Sequence, residues 1–79
     1  MEDKIVIREL GEKSSLWISR RELLIVESIQ EGLNNKEIGS KLGITEKTVE
    51  THRHNILKRL RCRNSSQLIT KLFRNQLIT

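Results

Sequence analysis

Three helix-start signatures lie within 27 residues, and two glycines punctuate them. Ser19 is followed three residues on by Glu22, Asn34 by Glu37, and Thr45 stands before Glu46. In each case a side-chain oxygen can accept one of the orphan amides of a first helical turn, and the two Glu residues can reach back to the cap amide. Gly32 and Gly43 supply left-handed stops. The first helix is therefore expected from Arg20 to about Glu31, burying Ile25, Val26 and Ile29, with Ile18 and Leu23 closing a hydrophobic staple. A short second helix runs through Lys41 and Leu42, and a third from Glu46 to about Arg61. Asn64 or Ser65 opens a fourth through Leu72, Phe73 and Leu77. The chain contains no proline, and no sustained strand pattern is visible. Residues 1–15, with apolar Ile5, Val6, Ile7 and Leu10 before Gly11, Ser14 and Ser15, read as a flexible arm or linker with room for one short extended piece. The expected fold is all-α: a four-helix domain over 16–79.

At 79 residues, this is one small module that buries only about 60% of its unfolded surface. An enzyme with a deep cavity is not expected. Hydrophobic residues make up 35% and charged residues 32%, which suits a Leu/Ile/Val core rather than disorder. The longest apolar run, Leu23 to Val26, is far short of the ~20 residues a membrane span needs, and no secretory signal follows Met1. Cys62 is the single cysteine, so no internal disulfide or cysteine metal cluster is expected and it reads as a small packing residue. His52 and His54 lie about 200° apart on a helix and cannot share a metal. No cofactor is expected, and the anticipated location is cytoplasmic.

The charge is uneven. Residues 1–35 carry five bases and seven acids, residues 64–79 carry two bases, and residues 36–63 carry eight bases against three acids. A basic centre of this kind attracts polyanions, nucleic acid above all. Two short helices around a glycine turn, the second one basic, form the layout of a helix-turn-helix. Gly39 leaves space where the helices cross, and Ile38, Leu42 and Ile44 close the corner. On the third helix Val49, Ile56 and Leu60 share one direction and form the buried stripe. Lys47, Thr51, His54 and Lys58 then face away from it by about 140° to 200°, flanked by Glu50 and Asn55. Such a face suits the major groove, where Lys meets guanine, Asn meets adenine, Thr a thymine methyl and Glu cytosine. The plain alternative is a solvated helix with Glu50 and His54 paired.

Ile18-Ser-Arg-Arg-Glu22, Glu31-Gly-Leu-Asn-Asn-Lys-Glu-Ile38 and Leu42-Gly-Ile-Thr-Glu-Lys-Thr-Val49, with His52, Ile56 and Arg59-Leu60, resemble the LuxR/GerE-type DNA-binding domain over about residues 16–77. The resemblance implies a transcription regulator that binds double-stranded DNA through its second and third helices. By that resemblance Lys47, Glu50, Thr51 and His54 fall where family members approach base edges, and Lys36, Thr45 and Thr48 where they approach phosphates; Asn55, beside the outward face, is expected to join the base contacts, and Arg53 and Lys58 the phosphate contacts. His52 borders the core, where packing and DNA contact both remain open. Glu50 departs from the Lys or Arg of many members, which points to tuned base preference. Leu23 and Leu24 replace residues usually charged.

The fourth helix often mediates dimerisation in such domains, and Leu68, Leu72, Phe73 and Leu77 are the residues expected to do so here. The site would then be an inverted repeat. RNA polymerase or a regulatory domain preceding this one would be further partners. A sigma-factor-like promoter reader and a protein-interaction module contacting the transcription machinery are the competing readings.

Overall fold

A computed structural model describes residues 3–7 and 16–79. Two strands, β1 (Lys4–Ile7) and β2 (Leu16–Ser19), precede four helices: α1 (Arg20–Gln30), α2 (Asn35–Leu42), α3 (Glu46–Arg59) and α4 (Ser65–Arg74). The all-α expectation holds for the bulk of the chain. None of these helices is long and apolar enough to cross a membrane.

The hairpin is where the fold departs from the expected arm. β1 pairs antiparallel with β2, placing Lys4 opposite Ser19, Val6 opposite Trp17 and Ile7 opposite Leu16. The alternation of strand side chains turns Ile7, Leu16 and Ile18 inward, where each is at most 5% exposed. Ile5 to Ile7 are thus the extended piece: Ile7 is in the core and Ile5 packs against it, while Val6 faces outward. Their partner strand reads in sequence as the lead-in to α1, so no local signal announces the pairing. Leu10, Gly11, Ser14 and Ser15 lie outside the described residues.

The caps form as their residue types require. Ser19 and Asn34 each complete a capping box with Glu22 and Glu37, and Thr45 and Asn64 accept from the third residue of α3 and α4. Gly32 has φ 92° and Gly43 φ 73°. The other two helix ends use no glycine. Arg61 (φ 58°) and Gln76 (φ 61°) take the left-handed position. Cys62 N–H then donates to Leu57 O at 2.8 Å, and Leu77 N–H to Leu72 O at 3.0 Å, which satisfies carbonyls a helix end leaves orphaned. For this reason α3 stops at Arg59 and α4 at Arg74, short of Arg61 and Leu77.

Two apolar clusters result. The larger joins Ile7, Leu16 and Ile18 of the hairpin to Val26, Ile56, Leu60, Leu68, Leu72 and Ile78, with Leu23 packed against it. The smaller joins Ile25, Ile38 and Val49, with Ile29, Leu33, Leu42 and Ile44 around them. Helix α3 serves both: Val49 anchors its first half to α1 and α2, and Ile56 and Leu60 anchor its second half to the hairpin, α1 and α4.

A largely buried ion pair crosses this packing. Arg59 Nη1 and Nη2 donate to Glu22 Oε1 at 2.6 Å and Oε2 at 3.0 Å, while Ser19 N–H donates to Glu22 Oε1 at 2.9 Å. Burial pushes the Glu22 carboxyl up, but the Arg59 hydrogen bonds, the Ser19 amide and the Arg59 charge outweigh it and hold the group below its ordinary 4.5. A lowered native pKa means that the unfolded chain binds the proton more readily. The contribution is therefore present above pH 4.5 and lost as acid carries the solution through the native value. Glu22→Gln should lower stability by about 2 kcal/mol at neutral pH. Urea unfolding of the variant should also fall off less steeply between about pH 5 and 3 than that of the parent; equal slopes would refute the assignment.

Candidate nucleic-acid interface

The approach of α2 to α3 depends on the absence of a side chain at residue 39. A Cβ built on Gly39 would lie 2.6 Å from the Ile44 carbonyl oxygen and 3.3 Å from Glu46 N. Both neighbours are backbone and cannot swing aside. The same Gly39 carbonyl accepts the Ile44 N–H at 2.9 Å, so the turn is closed by backbone on both sides. The small cluster of Ile25, Ile38 and Val49 fills the corner beneath it.

With Val49 and Ile56 fully buried, helical periodicity sends the opposite face to solvent. Lys47, Glu50, Thr51, His54 and Asn55 are all exposed. The first four of these that share a wall, Lys47, Glu50, Thr51 and His54, line one concavity of about 310 Å³. Thr51 Oγ1 donates to Lys47 O at 3.1 Å, which directs that hydroxyl proton into the helix. No ion pair joins Glu50 to His54 among the described residues. His52 is half-buried, between the two positions anticipated for it.

The residues expected near phosphates divide into three sets. Lys36 on the first turn of α2 and Lys58 near the end of α3 are exposed, with no ion-pair partner among the described residues. Thr45 and Thr48 hold each other: the Thr48 N–H donates to Thr45 Oγ1 at 3.0 Å, and the two hydroxyls lie 2.8 Å apart. They sit at the α3 N-terminus, where amides and the helix dipole favour anions. Arg53 differs from this group. Its Nη1 donates to Asn35 Oδ1 at 2.6 Å and its Nη2 to Ser65 Oγ at 2.9 Å, so the guanidinium is engaged inside the domain. About 40° separates residue 53 from Val49 around the helix, and that angle already places it at the margin of the buried stripe.

The expected dimer set is also corrected in part. Leu68 and Leu72 are 1% and 0% exposed, consumed by the domain's own core, and Leu77 packs against that core from the side. Phe73 alone of the four is open, at 60% exposure. Sequence inspection also missed Arg59 and Trp17 as a unit: the Arg59 guanidinium carbon lies 3.8 Å and Lys4 Nζ 4.5 Å from the Trp17 ring centroid.

Comparison with known proteins agrees with this geometry. The sequence profile of "Bacterial regulatory proteins, luxR family" matches residues 16–72. The chain is 46% identical over 61 residues to the transcriptional regulatory protein LiaR of Bacillus subtilis, covering 77% of this chain and 29% of LiaR. It is 36% identical over 61 residues to the oxygen regulatory protein NreC of Staphylococcus carnosus, covering 77% and 28% respectively. The crystal structure of Escherichia coli SdiA superposes with a TM-score of 0.75 at 30% identity, over 90% of this chain and 30% of SdiA. The response regulator ChrA of a heme-sensing two-component system superposes with a TM-score of 0.70 at 34% identity, over 86% and 33%. The chain thus spans less than a third of the length of these relatives.

If Gly39 sets the angle between α2 and α3, Gly39→Ala should destabilise the domain by about 1–3 kcal/mol and shift the amide resonances of Ile44 to Glu46. An unchanged denaturation midpoint would show that the corner can relax. The chain belongs to the luxR family of bacterial regulatory proteins and carries its DNA-binding helix-turn-helix domain.

Proposed function

We propose that the domain binds double-stranded DNA sequence-specifically as a transcription regulator, with α3 in the major groove. One observation carries this reading: Lys47, Glu50, Thr51 and His54 share an exposed wall of α3, turned away from the stripe that fixes the helix in the domain. An α-helix fits the major groove, and these side chains supply a donor, acceptors and a methyl group for base edges, with Asn55 beside them. Lys36, Lys58 and the amides behind Thr45 and Thr48 meet the phosphates on either side.

Counterion release makes the lysines separable by experiment. Lys36→Ala and Lys58→Ala should each weaken binding to every duplex alike and reduce the slope of log K against log salt by about one. Lys47→Ala should cost about 1–3 kcal/mol on the preferred sequence and relax the preference at one base pair. Selection from a random duplex pool supplies that sequence. A pool that yields no enriched site at physiological salt would overturn the proposal.

The finer reading is a homodimer on an inverted repeat, with recognition helices about 34 Å apart. It rests on Phe73, exposed on α4 beside a concavity of about 510 Å³ that Arg74, Gln76, Ile78 and Thr79 also line. Phe73→Glu should abolish two-to-one binding on a two-half-site duplex and leave binding to a single half-site intact. Sedimentation of the parent as a monomer, both free and on that duplex, would remove the dimer.

A further inference from the structure

Arg53 occupies the seam of the domain. It lies on α3 between Val49, packed in the helix-turn-helix cluster, and Ile56, packed in the larger one. Its two terminal nitrogens point to different helices: Nη1 donates to Asn35 Oδ1 at 2.6 Å and Nη2 to Ser65 Oγ at 2.9 Å. Asn35 is the first residue of α2, and Ser65 the first residue of α4. Both contacts are therefore made at a helix N-terminus, where the partial charge is positive, and no carboxylate pairs with this cation among the described residues. The field opposes a guanidinium there, so the forked hydrogen bonds are what hold it.

We infer that Arg53 is a positioning residue, which keys the rotation and height of α3 to the first turns of α2 and α4 and thereby aims the wall of Lys47, Glu50, Thr51 and His54. The inference rests on the reading of α3 as the base-reading helix. It assigns Arg53 a part in discrimination and none in phosphate binding. A planar fork can bridge two acceptors on separate helices, whereas a lysine ammonium on a single stem cannot hold both in one geometry.

Anisotropy titrations on the selected duplex and on a scrambled duplex, each across salt, separate the possibilities. The variants are Arg53→Gln, Arg53→Lys, Ser65→Ala and Arg53→Gln with Ser65→Ala, each checked for helix content by circular dichroism. Positioning predicts that Arg53→Gln binds the selected duplex about ten-fold more weakly, the equivalent of one charge-assisted hydrogen bond. The scrambled duplex and the salt slope should stay unchanged. Arg53→Lys should lose about as much despite keeping its charge, and Ser65→Ala should weaken selected binding alone and add little on top of Arg53→Gln.

A phosphate contact predicts the reverse: both duplexes weaken together, the slope drops by about one, and Arg53→Lys restores binding. That result, or unaltered affinities in Arg53→Gln, overturns the inference and leaves the DNA-binding proposal standing. A parent protein that does not distinguish the two duplexes overturns both. Should Arg53→Gln fail to fold, Arg53→Lys and Ser65→Ala decide by the same criteria.

Discussion

The carboxylate of Glu22 ties the junction of β2 and α1 to the end of α3, 37 residues further along the chain. It accepts the Ser19 amide where β2 becomes α1, and it accepts both Arg59 nitrogens from the last turn of α3. Burying an ion pair costs several kcal/mol per charge unless geometry and extra hydrogen bonds compensate. Here they do: the pair is bidentate, the remaining lone-pair demand is met by backbone, and Arg59 keeps 25% of its side chain in solvent against 8% for Glu22. The same guanidinium lies over Trp17, so the hairpin leans on the pair as well. A two-stranded ribbon is marginal alone; this one lies between the larger core on its Ile7 and Ile18 face and two cations on its Trp17 face.

Anchoring of this kind bears on what α3 can do. Its first half is set by Val49 against α1 and α2, its second half by Ile56 and Leu60 against the hairpin, α1 and α4. A rod fixed at two points along its length has little freedom to roll. Side chains on its free face then start from a defined origin, and less ordering remains to be done when a partner arrives. In 79 residues there is no deep interior to provide such rigidity, so two small cores and one ion pair replace a single large one.

How much of this was legible depended on how local each signal is. Ser19 with Glu22 and Asn34 with Glu37 name their partners three residues away, and both boxes form as the residue types demand. Gly39 was legible as a close approach, though not that the atom approached is the Ile44 carbonyl. The ends of α3 and α4 were not legible, because Arg61 and Gln76 take a left-handed conformation that glycine ordinarily announces. Nor was the pairing of β1, which is non-local and whose partner strand reads as part of the α1 entry. Leu68 and Leu72 were misplaced for a related reason: the breadth of apolar arc on α4 says that something is covered, and only the packed fold says by what.

Charge underwent the largest reinterpretation. The eight bases of residues 36–63 look like one polyanion-binding stripe, yet Arg53, Arg59 and Lys41 have partners inside the domain. The division follows side-chain chemistry. Both arginines sit where a planar fork must satisfy two acceptors at once, a role an ammonium fills poorly. Lys36, Lys47 and Lys58 stand exposed, as mobile point charges suited to phosphates or to a guanine edge. On the same face, the Thr51 hydroxyl already donates to Lys47 O. What it offers outward is therefore a methyl group and an acceptor, which favours a thymine methyl or an amino donor over a bare acceptor edge. Beside it Glu50 is acceptor-only when ionised, so under the proposed major-groove reading the centre of the wall would favour bases that present donors or methyl groups, with Lys47 supplying the donor at its edge.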